Sequence, residues 1–116
     1  METNDLPSLI ALIREFSDAR DWERFHTPKN LAMALSVEVA ELAEHFQWLT
    51  PEEATRLAED EAHLQEISSE VADVAIYLFR MADVLGIDLG EAVRKKVEEN
   101  DRRFPADEIR GRATLQ

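Results

Sequence analysis

Two short segments of the chain share one pattern, an acid, two small apolar residues and a second acid: Glu38 to Glu41 and Glu70 to Asp73. Residues three apart lie on the same face of an α-helix, so each segment projects two carboxylates from one side. The flanking residues are mostly apolar, and carboxylates are rarely buried unless they are paired or bind a metal. The pattern therefore favours two helices whose acids converge on a divalent cation, Mg2+ or alternatively Mn2+.

The competing interpretation is that the four acids lie on solvated helix faces, which is the usual position of charged residues. The apolar flanks argue against it, since they leave little polar surface on either helix. Glu66 lies one turn before Glu70 and could either join the cluster or be an ordinary exposed acid. A ferritin-like di-iron site needs two Glu-x-x-His pairs on long helices, and the chain has only the pair Glu23 to His26, so we exclude that class.

The composition is that of a folded helical protein. Apolar residues make up 45% of the 116 residues, while Gly (3) and Pro (4) are scarce, and this length suits one domain with one core. We therefore predict a single all-α domain over residues 1–116. Its predicted architecture is an antiparallel, four-helix-bundle-like fold with a short extra helix between the second and third helices.

Local signals predict where these helices begin and end. Asp5 and Pro7 begin the first helix, Thr50 and Pro51 begin the short extra helix, and Gly86 ends the third. The predicted ranges are 6 to about 20, 29 or 30 to about 48, a short helix from 51, about 61 to 85, and a fourth helix capped by Asp88 that runs to about 103. Residues from about 107 to 116 are expected to form a loosely held tail.

Charge and cysteine content exclude several functions. The formal net charge of -12 opposes non-specific binding to nucleic acid or to an anionic membrane surface. The absence of cysteine excludes disulfides, thiolate zinc sites and a cysteine nucleophile, and it fits a reducing cytoplasm. We find no signal-peptide pattern at the start and no apolar run near the ~20 residues of a membrane span. The sequence is therefore expected to be soluble and cytoplasmic.

Two further groups of residues could bind a ligand. Lys96, Asn100 and Arg103 are spaced at i, i+4 and i+7 and so share one helix face. They are either ordinary surface residues that complement the helix dipole or, beside a metal site, residues that hold phosphates. Trp22 and Trp48 stand at helix edges, where an indole could either pack in the core or stack on a planar base. Tyr77, one turn after Asp73, could orient a carboxylate or contact a substrate.

Three stretches together resemble a known family: RDWERFHTPKNLAMALSVEVAELAEHFQW, EVADVAIYLF and KVEENDRRFP. They are similar to the MazG-type all-α nucleoside triphosphate pyrophosphohydrolases, most closely to the dCTP pyrophosphatase branch. The resemblance covers residues 20–105. The two acidic repeats are degenerate alone, but the added FQW, the RDW...FH...P-x-N segment and the terminal N-x-x-R-F-P make chance agreement improbable.

The resemblance implies roles for particular residues. It makes Glu38, Glu41, Glu70 and Asp73 the Mg2+ ligands. It places the nucleoside against residues of the first connection and of the two acidic helices, and the phosphates against the last helix. The implied nucleoside-binding residues are Trp22, His26, Asn30, Trp48 and Tyr77, and the implied phosphate-binding residues are Lys96, Asn100 and Arg103.

The implied reaction is the Mg2+-dependent hydrolysis of dCTP, or of a modified dCTP, to the monophosphate and pyrophosphate, which clears the nucleotide pool of unwanted triphosphates. Glu38 or Glu41 would orient or deprotonate the attacking water. The resemblance also implies a homodimer or homotetramer. Ser69 stands where relatives often have another Glu, and the link between the second and third helices is short. A preference for dUTP or another triphosphate stays an alternative, as does a non-enzymatic helical interaction module.

Overall fold

A computed structural model describes residues 3–112, and this part of the chain is helical, with no strand. The all-α prediction is therefore confirmed. The described residues form six α-helices and one short 3-10 turn at Glu23–Phe25. The helices are α1 (Leu6–Ala19), α2 (Pro28–Glu44), α3 (Pro51–Leu57), α4 (Glu61–Leu85), α5 (Leu89–Arg103) and α6 (Ala106–Ile109).

Side-chain caps define most of the helix starts. The Asp5 carboxylate accepts a hydrogen bond from the Ser8 backbone N–H at 2.9 Å, and Asp88 does the same for Glu91 at 3.0 Å. Thr50 and Glu53 form a reciprocal capping box. These bonds satisfy backbone donors that a helix start leaves free. The predicted starts of α1, α3 and α5 are confirmed for this reason.

The end of α2 differs from the sequence prediction. The helix ends at Glu44, and residues 45–48 form a turn where the sequence predicted helix to about Trp48. The His45 and Phe46 backbone N–H groups donate to carbonyl oxygens only three residues earlier, which tightens the last turn. Pro51 follows closely and starts the next helix, so the chain must change direction over these residues. Trp48 consequently lies in a turn and is 86% exposed.

The chain divides into two compact units at the boundary between Gly86 and Ile87. Gly86 ends α4 with φ at +70°, a left-handed conformation that glycine adopts without steric cost. The prediction of a single domain stays a prediction, and the two units are described separately below.

In the first unit, α4 packs against both α1 and α2. His26, just before α2, contacts Arg80 near the end of α4, whereas Glu38, later in α2, meets Glu70 in the first half of α4. Because the pairing runs in opposite directions along the two helices, α2 and α4 are antiparallel. Leu31 is only 1% exposed, and it lies in the first turn of α2.

The second unit consists of α5 and the short α6. The last turn of α5 carries Arg102 and Arg103, whose positive charges complement the dipole of this helix. Part of the predicted loose tail is helical, since α6 covers Ala106–Ile109. Residues 113–116 lie outside the described part of the chain. Within residues 3–112, no helix has both the length and the apolar character needed to cross a bilayer.

Large apolar side chains are exposed on several helices. Leu12 on α1 is 60% exposed, and Val97 on α5 reaches the same value. Further exposed apolar residues are Met33, Val37, Val39, Leu64, Val71, Leu78 and Val93.

Candidate functional site

Three of the predicted ligands meet between α2 and α4. Glu38, Glu41 and Glu70 each offer a carboxylate oxygen, and these oxygens all lie within 4.8 Å of one another. Glu38 and Glu70 are half-buried, while Glu41 is exposed. Asp73 is close enough for its negative charge to act on Glu38. Glu66 is exposed and lies outside this cluster. The antiparallel packing of two helices thus places the two acidic repeats against each other.

Two oxygens of this cluster are buried without a hydrogen-bond partner among the described residues: Glu38 Oε2 and Glu70 Oε2. A buried polar atom without a partner is costly, and a charged one more so. Burial first, and then the neighbouring carboxylates of Glu41 and Asp73, together raise the pKa of Glu38 to about 7. An oxygen-only set of ligands with unsatisfied charge fits a hard divalent cation.

A cavity of about 260 Å3 adjoins the acidic cluster. Glu38 and Asp73 form part of its wall, and apolar and aromatic side chains form much of the remainder. These other lining residues are Ile13, Phe16, Ser17, Trp22, His26, Ile76, Tyr77 and Arg80. The volume is just below the roughly 300 Å3 at which small-molecule pockets begin, so the cavity suits one small planar group. The wall is acidic at Glu38 and Asp73, where such a ligand would meet the carboxylates.

The connection between α1 and α2 supplies one aromatic wall. The Trp22 ring meets the Phe16 ring edge-on, with centroids 5.7 Å apart, and it meets the His26 ring edge-on at 6.1 Å. Edge-to-face pairs of this kind are favourable beyond their buried area. Asn30 stabilises the same connection, because its side-chain Nδ2 donates to the Phe25 carbonyl at 2.9 Å.

Arg80 is a lining residue that the sequence reasoning did not identify. Its side chain is 5% exposed, and its Nε–H donates to His26 Nδ1 at 3.0 Å. Its Nη1 donates to Asp83 Oδ2 at 3.2 Å. The signal was available, since Arg80 is a charged residue within the apolar run from Ile76 to Met81. From the sequence, charged residues within apolar helical runs were considered only where they were acidic.

The sequence profile described as the MazG-like family matches residues 33–114. This range contains both acidic repeats and all of α5. The chain belongs to the MazG-like family. The motif resemblance is confirmed at this level, and the antiparallel pairing of the two acidic helices is therefore a property of a MazG-like protein.

Similar curated proteins carry the name dCTP pyrophosphatase 1. The chain is 42% identical over 108 residues to dCTP pyrophosphatase 1 of Bos taurus, which covers 93% of this chain and 64% of that protein. It is 43% identical over 101 residues to dCTP pyrophosphatase 1 of Homo sapiens, covering 87% of this chain and 59% of that protein. The MazG-like chain thus spans less than two thirds of the length of these curated relatives.

A solved structure gives a fuller match. The crystal structure of a pyrophosphatase from Archaeoglobus fulgidus DSM 4304 superposes with a TM-score of 0.81 at 42% sequence identity. The match covers 90% of this chain and 96% of that one. The agreement over nearly the whole of both chains supports the MazG-like fold.

Among the predicted binding residues, the structure brings some together and leaves others apart. Trp22, His26 and Tyr77 line the cavity next to Glu38 and Asp73. Two others do not: Asn30 hydrogen-bonds the backbone of its own connection, and Trp48 lies in an exposed turn. The roles assigned to all of these residues stay predictions.

The three residues predicted to bind phosphate lie on α5, in the second unit. Lys96 Nζ is 3.5 Å from Glu99 Oε1, and the Arg103 guanidinium lies over the Phe104 ring at 5.0 Å. Asn100 Oδ1 is buried and has no hydrogen-bond partner among the described residues. Their predicted contact with phosphate also stays a prediction.

The raised pKa of Glu38 predicts a pH effect on the metal-free protein. Below pH 4.5, the ordinary pKa, the Glu38 carboxyl is protonated in both the folded and the unfolded protein. As the pH rises from there to about 7, the folded protein keeps this proton while the unfolded protein releases it, so the stabilising contribution of Glu38 is progressively lost. Chelator-treated wild type should therefore lose free energy of unfolding between these two values, relative to Glu38→Gln. Urea unfolding across this range measures the difference.

The matched control for this experiment is Glu44→Gln, which changes an exposed acid on the same helix. It should keep the wild-type pH dependence, because its carboxylate is solvated and lies outside the cluster. If wild type and Glu38→Gln show parallel pH profiles, the pKa of Glu38 is not raised in the folded protein.

Proposed function

We propose that this chain is a Mg2+-dependent pyrophosphohydrolase that cleaves dCTP, or a modified dCTP, to the monophosphate and pyrophosphate, and so clears unwanted triphosphates. The observation that carries the proposal is that Glu38 belongs both to the acidic cluster and to the wall of the aromatic cavity, and that Asp73, whose charge acts on Glu38, lines the same wall. A nucleotide has the matching arrangement, a planar base attached to a charged phosphate chain. The names of the relatives supply the substrate class.

Glu38, Glu41, Glu70 and Asp73 would hold the cation. Bound there, Mg2+ would supply positive charge at the phosphates and lower the pKa of a coordinated water. This also answers the net charge of -12, which by itself repels a free polyanion. The unpartnered oxygens of Glu38 and Glu70 support the assignment, because a cation would satisfy them.

The protein groups would share the remaining work. A carboxylate of Glu38 or Glu41 would orient the water that attacks the α-phosphorus and would receive its proton. Lys96 and Arg103 would stabilise charge on the departing pyrophosphate, with Asn100 on the same helix face as a hydrogen-bonding group. Trp22, His26 and Tyr77 would enclose the base, and their aromatic rings would shield one side of it from water. Asn30 would act by keeping the connection in place.

We propose further that the functional form is a homodimer or homotetramer. The exposed apolar side chains of α1, α2, α4 and α5 support it, since a monomer rarely exposes this much apolar surface. Trp48 is 86% exposed in the single chain, so a second copy could bring it to a binding site. Association would then complete a site that one chain forms only in part.

A panel of nucleoside triphosphates tests the proposed reaction. With Mg2+ present, dCTP or a modified dCTP should have the highest kcat/KM, and the products should be monophosphate and pyrophosphate in equal amounts. Steady-state kinetics measure kcat/KM for each triphosphate, and phosphorus NMR identifies the two products and their amounts. Preferred hydrolysis of dUTP would replace the proposed base preference, and release of orthophosphate would exclude the reaction. A melting temperature unchanged by Mg2+ with nucleotide would favour a non-enzymatic module.

Replacing Glu41 by Gln tests the role of the acidic cluster. The exposed position of Glu41 should let the fold survive, while loss of the carboxylate should lower kcat by roughly 10²-fold or more. Steady-state kinetics at saturating Mg2+ give the value. Glu44→Gln removes an exposed acid one turn further along α2 and should retain wild-type rates. Near-wild-type turnover in Glu41→Gln would remove this residue from the mechanism.

Light scattering tests the proposed assembly. The molar mass in solution should be two or four times the chain mass of 13.3 kDa, because association buries the exposed apolar side chains. The measurement should be repeated on dilution, since a stable interface of ordinary size should persist at micromolar concentration. A mass of one chain at all concentrations would contradict the proposal.

A further inference from the structure

Arg80 is a buried cation that is held by two partners. Its guanidinium donates to His26 Nδ1 through Nε, at 3.0 Å, and to Asp83 Oδ2 through Nη1, at 3.2 Å. Arginine is seldom this deeply buried, here 5% exposed, unless its charge is paired. Asp83 provides the counter-charge, whereas His26 provides only a lone pair. The contact with His26 therefore needs an explanation other than charge neutralisation.

Asp83 is itself fixed from the other side. Arg14 on α1 donates to its two carboxylate oxygens, from Nη2 at 2.6 Å and from Nε at 2.9 Å. This bidentate pair is the strong form of an arginine-carboxylate interaction. It lowers the pKa of Asp83 below its usual value, and the charge of Arg80 acts in the same direction. Asp83 therefore stays ionised and anchors the guanidinium of Arg80 between α1 and the connection that carries His26.

The contact with Arg80 determines the tautomer of His26. A guanidinium has only donors and keeps its proton in proteins, so Nδ1 must accept with its lone pair. A neutral imidazole with unprotonated Nδ1 carries its proton on Nε2. That nitrogen has no hydrogen-bond partner within residues 3–112, and the ring lines the cavity with Trp22 and Tyr77. His26 is thereby left with one free N–H donor.

We propose that Arg80 is a positioning residue that holds His26 in the Nε2–H tautomer, so that His26 donates a hydrogen bond to an acceptor on the planar group bound in the cavity. The acceptor would be a carbonyl oxygen or an unprotonated ring nitrogen. That the planar group is a nucleobase rests on the proposed function. A base with an N–H at this position is disfavoured, because two donors would face each other without an acceptor.

The charge state of His26 agrees with this role. Burial, together with the positive charge of Arg80, lowers the pKa of His26 below its usual value. The charged groups beside the ring are Arg80 and, in an adjoining cavity, Arg14, Asp18, Glu23 and Asp83. Asp83 is already paired with both arginines. The imidazole therefore stays neutral at neutral pH, as a fixed tautomer requires.

Nitrogen NMR of the labelled, metal-free protein tests the positioning without substrate. His26 should show an unprotonated Nδ1 and a protonated Nε2 in wild type, and a mixture of both tautomers in Arg80→Met. His45 and His63 serve as internal references, and Arg24→Met removes an exposed arginine of the same connection and should leave the signals unchanged. A protonated Nδ1 in wild type, or an unchanged tautomer in Arg80→Met, would overturn the proposal.

If Arg80→Met does not fold, Arg80→Lys replaces it. The same mixture of tautomers is expected, because one ammonium nitrogen cannot reproduce the contact of the guanidinium with both His26 and Asp83.

A double-mutant cycle tests whether Arg80 acts through His26. Arg80→Met should raise KM for the preferred triphosphate roughly 3- to 10-fold, the range for one neutral hydrogen bond, and should lower kcat by less. In a His26→Ala background the same change should alter KM by less than about twofold, since coupled residues are not additive. Equal effects in both backgrounds would mean that Arg80 acts independently of His26 and would overturn the proposal. If no triphosphate is hydrolysed by wild type, the proposed function fails, and the NMR result still decides the role of Arg80.

Discussion

Carboxylates placed between two packed helices cost free energy, and this cost limits which residues and ligands the region between α2 and α4 can accommodate. The antiparallel packing of α2 on α4 brings one carboxylate oxygen each of Glu38, Glu41 and Glu70 within 4.8 Å of one another. It also buries two oxygens that have no hydrogen-bond partner among residues 3–112. Such an arrangement is unfavourable by itself. It persists because the rest of the helix surfaces pack around it, and a ligand that neutralises the charge would return that free energy as binding. Local strain and proposed function thus reside in the same side chains.

A second set of charges supports another part of the cavity wall. Arg14, Asp83, Arg80 and His26 form a chain of hydrogen bonds that joins α1, α4 and the connection before α2. In this network Asp83 pairs with both arginines, whereas the acidic cluster contains two buried oxygens with no hydrogen-bond partner in the described part of the chain. The cavity wall therefore includes His26 and Arg80 from a satisfied polar network and Glu38 from an unsatisfied one. The first suits a rigid wall for a neutral ring, and the second suits a charged ligand with its cation.

Much of the fold could be predicted from local signals, because the caps and breakers act within a few residues. Asp5, Thr50, Gly86 and Asp88 define helix ends through bonds to their own neighbours. The acidic pairs could be predicted as well, since spacing places each pair on one helix face. The contact of Arg80 with His26 could not, because it joins residues 54 apart and an arginine on a helix is ordinarily exposed. The early end of α2 depended on the turn that follows it, which helical periodicity does not describe.

Glu38 lines the cavity and belongs to the acidic cluster, while Asp73 lines the same wall and acts on Glu38 through its charge. This double role limits how the protein can diversify. A substitution at either position would change the shape of the cavity wall and the negative charge near Glu38 together. A change that improved the fit of a new ligand would therefore also alter the charge available to a cation. Residues that touch only the cavity, such as Ile13, Phe16 and Ile76, are free of that conflict. New ligand preferences in descendants of this chain should therefore arise through these apolar positions, while the acids stay as they are.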